Sequence, residues 1–429
     1  ASNRFGQDVN NQFDPTYSFG ISWRIAEEEF IKNYLSWLNQ LNLRATYGIQ
    51  GNVVNSVSPD LIAQYRGIME GYDEYYLSIS SLPNPLLKWE RTKTWNLGLD
   101  MQLFNGITMS FEYYGRRSNA IINQDIAQEY GIATMKLNGG RIHNHGIEYS
   151  INLTPYKRKD FAWTVGINAS KNWNKAQNDD VRIKADKLTK DNFLNGSTDR
   201  LLKKGYPLSA FWSYSFAGLD PQTGYPTFNR IDFDEIDPDI DPTTFLVYSG
   251  QKDPYFTGGV NTRVRYKSLS LGVDFSVLLG AKKRLPNPYA NFNYGKLPDP
   301  YHNLSKDLLK RWQKPGDEKH TIYPALYTSV EDVYNIQLPD GTQSNSIYSM
   351  WANSDAMVVN ASFLRCNQIS VSWNMPPRIC SKFGATNCSI SANLNNPFVI
   401  GSNRFNGFDP ELGDSVMPKI FSCGLSVGF

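Results

Sequence analysis

Residues 95–113 read WNLGLDMQLFNGITMSFEY, a pattern that predicts a β-hairpin. Large apolar residues occupy every second position from Trp95 to Leu103 and again from Ile107 to Tyr113. A period of two is typical of strands whose two faces meet different surroundings. An Asn-Gly pair between two such runs is the strongest short-range signal for a tight turn. We therefore expect two antiparallel strands here, each with one apolar and one polar face.

The same alternation recurs along nearly the whole chain. It returns at 147–153, 161–169, 260–266, 269–277 and 421–429. With their flanking residues, the strands that contain these runs last about 9 to 13 residues, which is the length that a tilted strand needs to cross a bilayer. Strands of soluble proteins more often stop after about 5 or 6 residues. The lengths favour membrane-crossing strands.

The two faces of these runs differ in composition. One face carries large apolar and aromatic residues, and the other carries Gly, Ser, Asn, Thr and occasional charges. In a membrane barrel the large residues face lipid and the polar ones face a wet interior. In a soluble sandwich the large residues point inward and form a dry core. Alternation alone leaves both alternatives open.

The lengths of the connections favour the membrane barrel, and we predict an all-β fold, a transmembrane antiparallel β-barrel with about 13 strands in this chain. The strands are expected at 16–25, 40–50, 91–103, 107–117, 143–154, 161–171, 208–218, 226–231, 255–266, 269–280, 361–374, 386–396 and 420–429. The long connections are expected at 51–90, 118–142, 172–207, 232–254, 281–360 and 397–419, and they alternate with short ones. Because consecutive strands run in opposite directions, all long loops then lie at one rim. Short periplasmic turns and long external loops are the layout of outer-membrane barrels.

An odd number of strands cannot close as an even-numbered antiparallel barrel. An open edge would expose unpaired backbone groups to lipid. We therefore expect residues 1–429 to be a carboxy-terminal piece of the barrel, with further strands preceding Ala1.

Composition and motifs exclude several function classes. Lys and Arg number 43 against 41 Asp and Glu, a formal charge of +2, whereas a nucleic-acid-binding surface needs a basic excess. No phosphate-binding loop, nucleophile elbow or HExxH motif occurs. We expect no catalytic residue, no cofactor and no enzymatic activity.

Possible metal and thiol chemistry is limited. The cysteines are Cys366, Cys380, Cys388 and Cys423, and none forms the CxxC pair of a zinc site. Free thiols and a single disulfide both stay open, with Cys380 and Cys388 the closest pair in sequence. The acidic run at 232–241 lacks the glycine and spacing of an EF-hand, so we interpret it as a solvated loop without metal.

Short motifs in order along the whole chain resemble the carboxy-terminal half of SusC/RagA-type TonB-dependent transporters of Bacteroidetes. They lie at 2–6, 18–24, 27–30, 43–48, 51–52, 87–90, 144–148, 218–221, 223–226, 256–259, 311–312, 315–317, 362–365 and 407–411. Among them are Leu87-Lys88-Trp89-Glu90 and Gly407-Phe408-Asp409-Pro410-Glu411. The final segment also resembles the terminal strand of outer-membrane barrels, in which the closing aromatic residue, here Phe429, is the signal read by the assembly machinery.

The resemblance implies a 22-stranded barrel in the outer membrane whose lumen is filled by an amino-terminal plug domain. Nine strands, the plug and the TonB box would lie upstream of this chain. The implied function is nutrient uptake, the TonB-dependent import of oligosaccharides or peptides. The implied partners are a SusD-like lid lipoprotein, the TonB complex through the missing amino-terminal region, and the lipid bilayer, with no nucleic acid. The alternative is a soluble or surface glycan-binding β protein without transport.

The long loop at 281–360 is the best candidate for ligand contact, because loops of this length are usually functional or disordered. Aromatic residues mixed with Asn and Asp suit the stacking and hydrogen bonding of sugars or peptides. The candidate contact residues for substrate or lid are Tyr289, Phe292, Tyr294, Tyr301, Trp312 and Tyr323. In the alternative interpretation these rings fold the loop on itself. A short helix is expected from Leu304 to Trp312, with Asn303 as its cap.

Overall fold

The computed structural model describes residues 15–54, 57–104, 106–132, 134–177, 203–229, 246–289, 304–326 and 347–429. The strands are β1 (Tyr17–Arg24), β2 (Leu38–Asn52), β3 (Ile62–Met69), β4 (Glu74–Ser81), β5 (Glu90–Leu103), β6 (Ile107–Asp125), β7 (Thr134–Lys157), β8 (Phe161–Ala176), β9 (Ala210–Tyr214), β10 (Phe216–Leu219), β11 (Pro226–Phe228), β12 (Leu246–Gln251), β13 (Phe256–Tyr266), β14 (Leu269–Leu279), β15 (Lys282–Arg284), β16 (Val358–Asn360), β17 (Phe363–Asn374), β18 (Asn387–Ile400) and β19 (Ile420–Gly428). The α-helices are α1 (Glu29–Lys32), α2 (Ile347–Ala352) and α3 (Pro377–Cys380). No helix in the described ranges is long and apolar enough to cross a membrane.

One antiparallel sheet of eleven strands dominates the fold. Its order is β1-β2-β5-β6-β7-β8-β13-β14-β17-β18-β19, so neighbours in the sheet follow one another along the chain. The hairpin predicted at 95–113 forms, with Leu97 opposite Tyr113 and Leu99 opposite Phe111. The prediction of a single large antiparallel sheet is confirmed.

Two of the predicted barrel strands, 208–218 and 226–231, do not join this sheet. The first divides into β9, which pairs with β12, and β10, which pairs with β11. Every residue of β9 is buried, whereas a wall strand keeps one face open to lipid or water. These segments therefore belong to a compact body built from connections, and the large sheet has eleven strands instead of about 13.

The short connections lie together at one rim of the large sheet. Consecutive turns are joined by backbone hydrogen bonds, from the Phe104 amide to the Trp37 carbonyl (2.7 Å) and from the Lys267 amide to the Asp160 carbonyl (2.6 Å). Phe104 also stacks on Trp37, with ring centroids 5.9 Å apart. The short turns therefore lie at the same rim, as the connection lengths predicted.

The opposite rim carries the long connections, but one of them differs from expectation. Most of the segment 118–142 is strand, because β6 and β7 continue pairing past a register shift between Ala120 and Ile122. Only residues 126–133 connect them. The apolar alternation stops before the strand pairing does, because backbone hydrogen bonds between strands do not require it.

The clusters of buried apolar side chains described here lie mainly in connections, with Cys388 at the start of β18 as a member from a wall strand. The largest contains residues of 281–361 together with Phe405, and smaller clusters surround Leu87 and Cys380. No second sheet covers the large one within the described residues. The large sheet therefore lacks the dry interlayer core that the soluble-sandwich alternative requires.

Candidate functional site

One face of the large sheet, which we call the polar face, carries an ion network centred on Arg44. Its Nε donates to Oδ2 of Asp100 at 2.7 Å, and its Nη2 donates to Oε1 of Glu112 at 2.9 Å. Ser110 and Asn96 donate further hydrogen bonds to these two carboxylates, at 2.8 Å each. The side chains come from β2, β5 and β6, so the network spans three strands.

Small residues make room for this network. A Cβ on Gly98 would lie 3.0 Å from the Arg44 guanidinium, so the glycine allows the arginine to cross over β5 to Glu112. The period-two pattern predicted that Gly98 lies on the polar face. It did not predict that the Arg44 side chain lies over this glycine.

The polar face continues across the next strands as a row of hydroxyls, amides and carboxylates. Glu112 lies directly opposite Glu148 in the sheet, and Glu148 lies opposite Ser170. These residues line a shallow cavity of about 290 Å³ together with Ser110, Ser150, Asn168 and Thr257. Such a surface can hydrogen-bond a polar solute or a polar protein surface.

The other face of the large sheet, which we call the apolar face, exposes large side chains. They include Leu97, Phe111, Tyr113, Tyr149, Trp163, Leu271, Val371, Ile390 and Leu425. Some aromatic rings meet their neighbours on this face, as Trp95 and Tyr113 do at 5.0 Å between centroids. An exposed apolar surface spread over many strands is suited to lipid.

The connections at the long-loop rim fold into a body that we call the loop body, formed by β9 to β12, β15, β16, α2 and the 304–326 segment. Its core includes Trp351, Met357 and Phe405, all nearly inaccessible to solvent. Partly buried Phe216 and Phe228, from the segments predicted as wall strands, and Tyr225 between them pack against this core. The rim is therefore covered by a packed structure.

The predicted contact residues take different positions in the loop body. Tyr289 and Tyr323 lie in its core, where burial raises the pKa of both phenols. The Tyr289 hydroxyl donates to the Pro324 carbonyl at 2.6 Å, and its ring meets Trp351 with centroids 5.4 Å apart. These contacts pack Tyr289 into the loop body.

Trp312 is only half-buried. Its ring lies against Gly224, where a Cβ would come within 2.3 Å of the indole, and its Nε1 donates to Glu318 at 3.3 Å. Phe292, Tyr294 and Tyr301 lie outside the described residues. A contact role for the six residues stays a prediction.

The helix expected at 304–312 is shorter than predicted and is a 3-10 helix over Lys306–Lys310. Its cap is Ser305, whose hydroxyl accepts a hydrogen bond from the Asp307 amide. The predicted cap, Asn303, lies outside the described residues.

A hairpin at the long-loop rim, β3 and β4, is exposed on both faces. Tyr65, Tyr75 and Leu77 are largely open to solvent, and Tyr65 and Tyr75 contact each other with centroids 5.7 Å apart. An isolated two-stranded hairpin is at best marginally stable in water. Large exposed apolar surfaces typically mark interaction sites.

A buried ion pair holds the last long connection on the sheet. We did not predict this pair, although both of its residues lie in the motifs that resemble SusC/RagA-type transporters. Arg365 on β17 donates to both oxygens of Asp409, Nη1 to Oδ2 at 2.8 Å and Nη2 to Oδ1 at 2.7 Å. Burial acts to raise the pKa of Asp409. Hydrogen bonds from Arg365 and from the backbone amides of Glu411 and Leu412 outweigh burial and hold that pKa below its ordinary value.

Metal-binding side chains do not gather in the described ranges, which contain no group of three or more His, Cys, Asp or Glu placed to hold a metal ion. The acidic run at 232–241 lies outside these ranges. The four cysteines are free thiols in the structure. Phe429 follows β19 and is almost fully exposed, and its role as an assembly signal stays a prediction.

Comparison with known proteins identifies the fold and the family. Residues 2–275 match the family model described as TonB dependent receptor-like, beta-barrel. The chain is 27% identical over 453 residues to the TonB-dependent receptor SusC of Bacteroides thetaiotaomicron, covering 100% of this chain and 41% of that protein. It is 25% identical to TonB-dependent receptor P3 of Formosa agariphila, covering 96% of this chain and 39% of the relative.

Among solved structures, the RagAB peptide transporter superposes with a TM-score of 0.73 at 24% identity, over 100% of this chain and 44% of that one. At this identity the superposition establishes the fold alone. The chain thus spans about two-fifths of the length of the curated relatives that it matches. The sheet with one polar and one apolar face, the rim of long connections and these matches agree, and the chain belongs to the TonB dependent receptor-like β-barrel family.

Proposed function

We propose that this chain forms part of the wall and outer rim of a TonB-dependent importer of oligosaccharides or peptides. The observation that carries the proposal is the pairing of a charged, hydroxyl-rich polar face with an exposed apolar face on one eleven-stranded sheet. In a lipid-embedded barrel the apolar face meets acyl chains and the polar face lines the lumen. Import involves no covalent change of the cargo, so the chain needs no catalytic residue.

Import is tested in cells that carry the complete gene. Deleting the gene should abolish uptake of the cargo, and deleting the TonB component should abolish uptake equally while cargo still binds to the cell surface. Supplying labelled oligosaccharides and labelled peptides in parallel distinguishes the two cargo classes. Uptake that persists without TonB would overturn the proposed energy coupling.

We further propose that a SusD-like lid lipoprotein docks at the long-loop rim and contacts the β3–β4 hairpin. Support comes from the exposure of Tyr65, Tyr75 and Leu77 on a hairpin that has no packed core of its own. A partner that covers these side chains would remove apolar surface from water, at about 25 cal/mol per Å².

Docking is tested by co-purification of the lipoprotein with variants of the complete transporter. Changing Tyr65, Tyr75 and Leu77 together to Ser should weaken recovery of the lipoprotein at least tenfold. The matched control changes Tyr34 and Phe383, exposed aromatic residues at the short-turn rim, and should leave recovery unchanged. Equal recovery from both variants would contradict the proposed contact.

A further inference from the structure

Cys380 and Cys388 meet in the short turn between β17 and β18. Both side chains are buried, at 1% and 8% exposure, in one small cluster with Ala385. Met375 packs against this cluster from the side. The two side chains pack in the same cluster, close enough to interact, and the Cys380 thiol donates to the Met375 carbonyl at 3.5 Å.

Backbone hydrogen bonds hold the two cysteines in this position. The Met375 amide donates to the Cys388 carbonyl at 2.9 Å, and the Ala385 amide donates to the Cys380 carbonyl at 3.1 Å. Cys380 ends α3 and Cys388 lies near the start of β18, so the contact joins the turn to a wall strand. The other two cysteines take no part, because Cys366 lies on β17 and Cys423 on β19, outside this cluster.

We infer that Cys380 and Cys388 form a disulfide bond in the assembled protein. The inference rests on the proposed function for one point, that the short turns of this outer-membrane barrel face the periplasm. Disulfides form and persist in the bacterial periplasm, where dedicated thiol oxidants act on exported chains. The bond would close the turn covalently at the point where the last hairpin begins.

The chemistry requires a disulfide-bearing thiol oxidant of the periplasm. The thiolate of one cysteine attacks the disulfide of the oxidant, forming a mixed disulfide and releasing one oxidant thiolate. The second cysteine, as its thiolate, attacks the protein sulfur of the mixed disulfide and releases the other oxidant thiolate. Two protons leave the cysteines and two thiolates of the oxidant take them up, so the protein is oxidised by two electrons and the oxidant is reduced by two.

Burial determines when this exchange takes place and how long its product lasts. In the folded turn neither sulfur is accessible to a second protein, so oxidation precedes folding, while the chain crosses the periplasm. Once the turn has packed, the same burial protects the bond from exchange with external thiols.

The test is a count of free thiols in the complete protein taken from outer membranes. The sample is denatured in the presence of a maleimide, without reductant, and its peptides are analysed by mass spectrometry. We expect label on Cys366 and Cys423 only, and a linked peptide pair that contains Cys380 and Cys388. After reduction all four cysteines should be labelled. Label on all four without reduction, or a different linked pair, would overturn the inference.

Cysteine variants test which two residues are linked. Changing Cys380 to Ala should release Cys388, which then takes label without reduction, and changing Cys388 to Ala should release Cys380. The matched control, Cys423→Ser, should leave the linked pair intact. Should the Ala variants fail to assemble, the wild-type protein alone decides the question.

Orientation is tested separately, with Lys382→Cys in a chain that lacks Cys380 and Cys388. Label from a membrane-impermeant maleimide on intact cells would contradict the proposed periplasmic position of the turn. The wild-type thiol count decides the disulfide independently of that outcome.

Discussion

The guanidinium of Arg365 and the carboxylate of Asp409, 44 residues apart in sequence, form a bidentate pair with side-chain exposures of only 5% and 3%. Glu411 adds a second carboxylate at 3.0 Å. The pair joins strand β17 to the connection between β18 and β19. The pair is thus one of the contacts that hold this connection at the loop rim, together with Phe405 in the core of the loop body.

Replacing Arg365 by Ala should destabilise this region strongly. Removing one partner of a buried ion pair leaves an uncompensated charge and costs about 3–5 kcal/mol. The loss is measured as protease sensitivity of residues 401–419 and as a lower temperature for the heat-modified shift in gel mobility. The matched control is Arg24→Ala, whose exposed pair with Glu27 at 3.5 Å should contribute about 0–1 kcal/mol. Equal effects of the two variants would refute the proposed role of burial.

The same pair should make docking of this connection depend on pH. Asp409 has a folded-state pKa below its ordinary value of 3.8, so its contribution is complete above that value and is lost as pH falls through the lower folded pKa. Protease sensitivity of residues 401–419 should stay constant at neutral pH and rise in this acidic range. Asp409→Asn should weaken docking at neutral pH and flatten the dependence, and an unchanged acid response in that variant would point to other groups.

A new charged side chain should be tolerated on the polar face and should hinder assembly of the barrel on the apolar face. Leu97 lies near the middle of β5 on the apolar face, so Leu97→Arg places a cation against lipid and should cost about 2–4 kcal/mol near the bilayer midplane. The control is Ser170→Arg on the polar face, opposite Glu148, which can pair with the new cation. The assembled fraction in outer membranes should fall for the first variant only. If both variants assemble equally, the assignment of faces is wrong.

The loop body and the wall should unfold separately. Trp351 is fully buried in the core of the loop body, so Trp351→Ala should destabilise that body by about 3–5 kcal/mol. We expect rapid proteolysis of residues 281–360 and an unchanged heat-modified shift for the wall. Leu309→Ala, at a side chain that is largely exposed, provides the control. Loss of the wall together with the loop body would show that the two share one cooperative core.

Breaking the Arg44 network should have a smaller effect than breaking the Arg365 pair. Arg44, Asp100 and Glu112 keep 37%, 28% and 29% of their side chains exposed, so solvent screens the charges. We expect Arg44→Ala to lower stability by about 1 kcal/mol in detergent. Thermal unfolding of Arg44→Ala and Arg365→Ala under the same conditions would measure the difference in stability. A larger loss of stability for Arg44→Ala would show that the polar face is less accessible to water than the structure indicates.

Period-two alternation was sufficient to predict most of the wall. The hairpin at 95–113 forms as its pattern predicted, because each residue's face follows from its position in an extended strand. The end of β6 was missed because the period-two alternation breaks at Ala120-Ile121-Ile122, while the backbone still pairs with β7. Tyr289 and Tyr323 show a similar limit, since aromatic composition fits both ligand contact and packing.

The local pattern along the chain thus established the all-β class, the antiparallel order and the two unlike faces, because these depend only on neighbouring residues in a strand. Contacts between distant residues decided the rest. Whether Ala210–Tyr214 joins the wall or the loop body, and which carboxylate meets Arg365, depends on the packing of segments far apart in sequence. Such packing is set by three-dimensional shape and charge, which strand periodicity does not encode.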